Sequence, residues 1–254
     1  MSFGAVADDY DRLRPPPPGN AIDWLVPDGC QVAVDVAAGT GLLSRALARK
    51  VPQVVAVEPD DRMADVLRSR ATDAGPGRIR VARGTGESIP LPDASADGVF
   101  ISSAWHWLDP ERAAAEIARV LRDGGRLGLI WTGRDRETDW IRDLDTLVRD
   151  AAGPGDPGRD GQGGGRRREI LLPDELFGNA QTASFTYARA MRIDDVVGML
   201  ATYSRVITAS PQDRADGLAM ARAALERRFP GRSEIDVPMR SWCWRADRVA
   251  RASA

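Results

Sequence analysis

Apolar positions along the first half of the chain alternate between two patterns. Unbroken runs of about five residues give way to stretches where apolar side chains recur every three or four positions, the periods of a buried strand and an amphipathic helix. Gln31 to Val36, Gln53 to Glu58, Arg78 to Ala82, Gly98 to Ser102 and Arg126 to Trp131 read as strands. The first has no polar face, as a parallel strand buried on both sides requires. Helices fall between them: Thr40 to Lys50, with Leu42, Leu43, Ala46 and Leu47 inward, and Asp60 to Arg70, with Met63, Val66 and Leu67 on one face. A third helix starts at Pro110, capped by Asp109, and stops at Gly124-Gly125. Ahead of the first strand, Phe3, Val6, Tyr10 and Leu13 recur at helical spacing, Pro15 to Asn20 form a stiff spacer, and Ala21 to Leu25 make a brief helical turn.

Beyond Trp131 the pattern changes. Asp139 to Ala152, Asp194 to Arg205 and Pro211 to Phe229 have helical spacing, while Ala183 to Met191 and Ser233 to Arg245 read as strands. Pro238 inside the last strand suggests a bulge or an edge position. Residues 153–168 are too rich in Gly and Pro to pack and read as a mobile loop. Arg166 to Arg168 at its end have the chemistry to grip an anion, though a solvated loop end is the plainer account. Strand and helix repeating with short links imply right-handed crossovers. The expected fold is α/β: a doubly wound, mostly parallel seven-stranded sheet flanked by helices, with a small helical lid over about 194–229. Residues 1–20 form an amino-terminal segment, 21–135 a ligand-binding core, and 136–254 the rest of the sheet with the lid.

The candidate chemistry sits where the first strand ends. In "VDVAAGTG", residues 34 to 41, a buried run carries Asp35 and breaks into Gly39-Thr40-Gly41 before a helix. Ligands of doubly wound sheets lie at the carboxyl ends of the strands. Gly39 and Gly41 let the backbone turn tightly and approach a ligand, and the next helix aims its positive end there. A dinucleotide fingerprint would need a third glycine where Ser44 stands, and Asp35 would repel a diphosphate. A ligand with a cationic end, such as S-adenosylmethionine, would instead be attracted. Glu58, ending the second strand, can accept both ribose hydroxyls, as can the acid at that place in nicotinamide-binding folds. Asp35 as a mere loop or helix cap is the plainer alternative.

Composition narrows the partners. The 254 residues carry a formal net charge of -2, with no broad basic field, so nucleic acid is not the expected partner. His106 is the only histidine, and Cys30 and Cys243 the only cysteines, which gives neither metal-ligand spacing nor a disulfide framework. No metal is expected. The amino terminus lacks a secretory pattern and no stretch approaches a membrane span, so a cytoplasmic protein is expected, with the oligomeric state open.

Taken in order, "DVAAGTG", "VEPDDRM", "GTGESIPLPDASADGV", "AWHWLD" and "RVLRDGGRLGLIW" resemble class I S-adenosylmethionine-dependent methyltransferases, most closely the UbiE-like and trans-aconitate methyltransferase-like small-molecule group. The resemblance covers residues 1 to about 135 and is specific for fold and cofactor rather than substrate. It implies that Asp35, Ala37, Gly39 and Gly41 border the methionine and ribose parts, that Glu58 holds the ribose hydroxyls, and that Pro59 and Met63 pack beside adenine. Thr85, Gly86 and Glu87 match the loop at the adenine edge; many relatives have an acid at the position of Thr85, so that contact differs here. Ser102 lies near the methionine chain. "FGAVADDYDRLRP" resembles the segment that closes over the cofactor, with Tyr10 on the sulfonium side and Arg14 paired with the cofactor carboxylate.

The activity implied is methyl transfer from S-adenosyl-L-methionine to a small molecule, most readily at oxygen. His106 is the one candidate base suited to neutral pH, with positioning as its alternative role. Trp105, Trp107, Trp131 and Tyr203 are candidate walls of the acceptor pocket; Trp140, Trp242 and Trp244 are further ones, although aromatics ordinarily anchor cores. Arg134 or Arg240 could hold an acidic substrate. Against this stand a cofactor-binding cyclase or non-catalytic binding protein of the same fold, and a nicotinamide oxidoreductase, which Ser44 argues against. A nucleic-acid methyltransferase would carry an N/D-P-P-Y/F motif, absent here.

Overall fold

A computed structural model describes residues 7–73, 75–151, 170 and 172–250. Phe3, Val6 and the whole Gly-rich segment 153–168, with Arg166 to Arg168, lie outside the described residues. Seven strands form one sheet: β1 (Val32–Val36), β2 (Gln53–Val57), β3 (Arg78–Ala82), β4 (Ala96–Ser102), β5 (Leu121–Arg134), β6 (Phe177–Arg192) and β7 (Glu234–Arg248). Their order is β3-β2-β1-β4-β5-β7-β6, with β1 to β5 paired in parallel. The order reverses at β1, which puts the end of that strand at the switch point where ligands of such sheets bind. The chain clusters into two units: a sheet unit of 16–132, 169–185 and 241–254, and a second unit of 1–15, 133–168 and 186–240.

In the sheet unit the alternation of strand side chains builds two cores. Val34 and Val36 of β1 join Val55, Val57, Val99 and Ile101 against Ala113, Ala114 and Ile117 of α5 (Pro110–Val120). Ala33, Val54, Phe100 and Ile130 face the other way. They meet Ile22 and Leu25 of α2 (Gly19–Leu25) and Leu43, Ala46 and Leu47 of α3 (Leu42–Leu47). Asp35 shares the parity of Ala33 and so points toward α3. The helix α4 (Asp61–Arg70) begins at the cap Asp60, whose carboxylate accepts from the N–H groups of Arg62 and Met63.

The second unit packs Leu13 of α1 (Ala7–Leu13) and the apolar stripe of α6 (Asp139–Ala151) with α7 (Ile193–Ala201), α8 (Ser204–Thr208) and α9 (Pro211–Arg228) around Ile235, Val237 and Met239. The helix expected over Asp194 to Arg205 is therefore two. Thr202 separates them, its hydroxyl donating to the Met199 carbonyl at 2.7 Å, a local bond that competes with helix continuation.

Two further expectations are corrected. The helix over 110–123 does not reach Gly124-Gly125 but ends at Val120, because Leu121 is already extended and pairs with Ala96. The glycines lie inside β5 where its register with β4 shifts, and Gly124 takes φ 74°, the signature of a bulge. Pro238 lies on β7, between β5 and β6 in the sheet order rather than at an edge.

Candidate functional site

The end of β1 is built from left-handed backbone. Ala37, Gly39 and Gly41 have φ of 54°, 58° and 85°. Such values are free for glycine and strained for alanine. Two glycines accept this bend for opposite reasons. A Cβ on Gly41 would lie 2.7 Å from Leu67 Cγ, so packing excludes one; a Cβ on Gly39 would meet nothing within 4 Å, so open space lies beside it.

Glu58, just past β2, ties this bend to the next. Gly39 N–H donates to its Oε2 at 2.7 Å and Asp60 N–H to its Oε1 at 2.9 Å. Burial raises the Glu58 pKa above the ordinary carboxylate value, against the lowering effect of those two N–H groups. Asp35 is wholly buried; Ser44 Oγ donates to its Oδ2 at 2.5 Å, while Oδ1 has no hydrogen-bond partner among the described residues. Burial pushes Asp35 up to about 7, the Ser44 bond working against this and the charge of Glu58 adding to it. The hydroxyl of Thr40, within the bend, is likewise buried without a partner among the described residues. Beyond β2, Met63 is buried and Pro59 exposed.

The loop after β3 closes on itself through reciprocal N–H to carbonyl bonds between Thr85 and Ser88. Glu87 accepts from the Thr85 hydroxyl and from Asp109 N–H, which anchors the loop to the cap of α5. These bonds hold its carboxyl below the ordinary value although partial burial opposes them. Gly86 is close to Leu108, which an added Cβ would meet at 2.7 Å. Ser102 ends β4, and Trp105–Trp107 follow as one 3-10 turn. The His106 and Trp107 rings are 4.8 Å apart, both His106 nitrogens are shielded from solvent, and Trp107 is 48% exposed. Trp131 on β5 packs against Trp242 at 5.1 Å.

Asp35, Ala37, Gly39, Gly41, Glu58, Pro59, Met63, Thr85, Gly86, Glu87, Ser102, Trp105, His106, Trp107 and Trp131 all belong to the sheet unit, whereas Tyr10, Arg14 and Tyr203 belong to the second. There they meet one another: Arg14 lies over the rings of Tyr10 and Tyr203, at 4.9 and 3.9 Å, and donates to the Thr202 hydroxyl and carbonyl at 3.0 Å each. Trp140 stacks edge-on to Phe229 and Trp244 is buried, so both serve cores. Arg240 is taken by Asp135 and Glu137. The sequence treated Ser44 only as a missing glycine; its role as the donor to Asp35 was signalled by a hydroxyl on the inward stripe of a helix. Thr40 and the strain at Ala37 had no comparable signal.

Comparison with known proteins bears on this arrangement. A methyltransferase domain family matches residues 34–129, which span the bend, Glu58 and the aromatic turn. An uncharacterized methyltransferase of Mycobacterium tuberculosis is 40% identical over 226 residues, covering 89% of this chain and 86% of its own. A malonyl-[acyl-carrier protein] O-methyltransferase of Hahella chejuensis is 36% identical over 142 residues, covering 50% of this chain and 46% of its own. Among solved structures, one described as a type II methyltransferase from Anaeromyxobacter dehalogenans superposes with TM-score 0.69 and 25% identity, covering 92% of this chain and 97% of that one. Fold, switch-point bend and these relatives lead to one assignment: the chain belongs to the class I S-adenosylmethionine-dependent methyltransferases.

Proposed function

We propose that this methyltransferase acts on a small molecule and methylates it at oxygen, with the cofactor seated on the bend after β1 and the acceptor beside the aromatic turn after β4. The observation that carries the cofactor half is the pair of buried polar groups at the bend, Asp35 Oδ1 and Thr40 Oγ1, which have no partner among the described residues, together with the open space at Gly39. Buried polar atoms are seldom left unpaired. A ligand bringing an ammonium group and hydroxyls suits them, and the donor set fits S-adenosylmethionine.

Each residue then has a definable task. A carboxylate oxygen has two lone pairs. Gly39 and Asp60 take one on each oxygen of Glu58, which leaves a second on each for the ribose hydroxyls. Thr85 donates its proton to Glu87, so its oxygen keeps lone pairs to accept from the adenine amino group. This supports threonine doing the work of the acid that relatives carry there. Gly86 and Glu87 complete the adenine edge, Pro59 and Met63 its flank, Ala37, Gly41 and Ser102 the methionine side.

The cofactor supplies, when bound, a methyl group activated by a positively charged sulfur. The chain's own task is alignment and exclusion of water, which can supply several kcal/mol, up to about 7–11 in ideal intramolecular cases. Trp105 and Trp107 wall the acceptor side, with Trp131 behind, and His106 takes a proton from a phenolic or alcoholic acceptor; a carboxylate acceptor needs none removed. The relative from Hahella chejuensis, whose name gives a malonyl group and oxygen, supports the oxygen acceptor.

The test combines two measurements on the full chain. Calorimetry with S-adenosylhomocysteine should show binding. Incubation with methyl-labelled S-adenosylmethionine and a panel of carboxylic acids, phenols and amines should place the label on oxygen. Label found only on nitrogen, carbon or nucleic acid would overturn the acceptor assignment. For phenols, His106→Asn should lower the rate and flatten its rise with pH; an unaltered profile makes His106 a positioning residue.

A further inference from the structure

The second unit holds a buried arginine whose hydrogen-bonding capacity is only partly used. Arg134, at the end of β5, has a side chain 4% exposed. One terminal nitrogen, Nη2, pairs with Asp145, a carboxylate that Arg136 also engages at 2.6 Å. Its Nε and Nη1 are buried and have no hydrogen-bond partner among the described residues. Guanidinium groups cannot escape such a position by losing their proton, and buried N–H groups are almost always answered by an acceptor.

The surroundings reinforce this. Arg134 lies over the ring of Tyr203 at 4.9 Å, and Arg14 lies over the same ring at 3.9 Å. Arg14 is buried too, and its hydrogen bonds go to neutral oxygens of Thr202; among the described residues no carboxylate pairs with it. Arg134 thus has a single carboxylate partner, itself divided between two arginines. A Cβ on Gly133, next to Arg134, would meet nothing nearer than the Tyr203 hydroxyl at 4.0 Å. By contrast Arg240, in the same unit, is saturated by Asp135 and Glu137.

We propose that Arg134, with the Tyr203 hydroxyl beside it, forms a binding site for a carboxylate of a small organic acid distinct from the cofactor. An anion there supplies the acceptors that Nε and Nη1 lack and balances the excess positive charge. Arginine suits the task because its N–H groups are fixed in a plane and remain charged. The inference rests on geometry within the second unit and does not require methyl transfer.

The experiment titrates the full chain with malonate at constant ionic strength, followed by calorimetry, with neutral malonamide as the control. Malonate should bind saturably and malonamide should not. Arg134→Gln removes a partner of Asp145 and risks the fold, so Arg134→Lys, checked by circular dichroism, is the deciding variant. It keeps the charge but not the planar donors and should weaken malonate roughly tenfold, whereas exposed Arg227→Gln should leave it unchanged. Saturating S-adenosylhomocysteine should not displace malonate. No saturable binding, undiminished binding by folded Arg134→Lys, or displacement by S-adenosylhomocysteine would overturn the proposal, the last by giving the site to the cofactor's own carboxylate. S-adenosylhomocysteine binding is read separately, so failure of the cofactor assignment and failure of this site are distinguishable.

Discussion

Asp35→Asn should stabilise the ligand-free protein at alkaline pH while weakening its hold on cofactor. In an unfolded chain the Asp35 carboxyl ionises near pH 4; in the folded, ligand-free protein burial delays this to about 7. Between those values the folded state keeps a proton that the unfolded state has lost. The contribution to stability is whole below about pH 4, falls as pH rises, and is gone above about 7. At about 1.4 kcal/mol per pH unit the window is worth up to about 4 kcal/mol. Asparagine resembles the protonated acid and can still accept from Ser44, but its amide N–H groups would occupy the site of the partnerless Oδ1, at about 1–3 kcal/mol. The net gain at pH 8 is then about 1–3 kcal/mol, read from urea midpoints of ligand-free protein between pH 5 and 8. The variant should also lose most of the wild-type decline over that range. In the proposed site the charge faces the cofactor ammonium, so S-adenosylhomocysteine should bind roughly tenfold or more weakly at pH 8. A variant that is less stable at pH 8, or that keeps the wild-type slope, would refute the reasoning.

The glycines offer a paired test. Gly41→Ala should cost about 2–4 kcal/mol in thermal or urea melts, from left-handed strain plus the contact with Leu67. Gly39→Ala should cost only the strain, about 1–2 kcal/mol, yet impair S-adenosylhomocysteine binding more than its stability loss explains; calorimetry showing undiminished affinity would move the cofactor away from the bend. Ala37→Gly should raise stability by about 0.5–1 kcal/mol, the strain relieved less the extra unfolded freedom of glycine, and a fall in the melting midpoint would contradict this. Glu58→Gln turns an acceptor into a donor against Gly39 or Asp60; it should narrow the preference for S-adenosylhomocysteine over its 2′-deoxy analogue, and an unchanged preference would remove Glu58 from the ribose.

What the sequence could disclose follows the range of the interactions involved. β3 is read correctly to the residue, because the alternation of Ile79 and Val81 with Arg78 and Arg80 ahead of the Gly84-Thr85-Gly86 loop is a local signal, and the Asp109 cap with Pro110 is equally local. The end of α5 is not. Gly124-Gly125 look like a helix stop, but Leu121 is made extended by pairing with Ala96, and no local preference announces a register shift. The break at Thr202 is similar: a threonine within a helical pattern is ordinary, and its hydroxyl bonds backward to Met199 while it accepts from Arg14, far away in sequence.

The site divides along the same line. Residue types at the bend were legible because left-handed backbone and close approach demand glycine wherever the chain finds them. Charge states were not. Asp35 and Glu58 look alike in sequence, two acids each ending a strand, yet they are held differently. Glu58 receives two backbone N–H groups, one on each oxygen, while Asp35, fully buried, is bonded by Ser44 alone and has no partner for Oδ1 among the described residues. A carboxylate supported on both oxygens is ready to accept from a neutral hydroxyl. One left half-supported costs stability until a donor arrives, and a cation is the donor that repays most of it. The strain at Ala37 and the bare oxygen of Asp35 lie two residues apart in the same bend. Both are costs that the ligand-free fold carries, and the second is one that a positively charged ligand removes on binding. The bend is therefore held unfavourably by the protein alone, as a surface preorganised for a ligand would be.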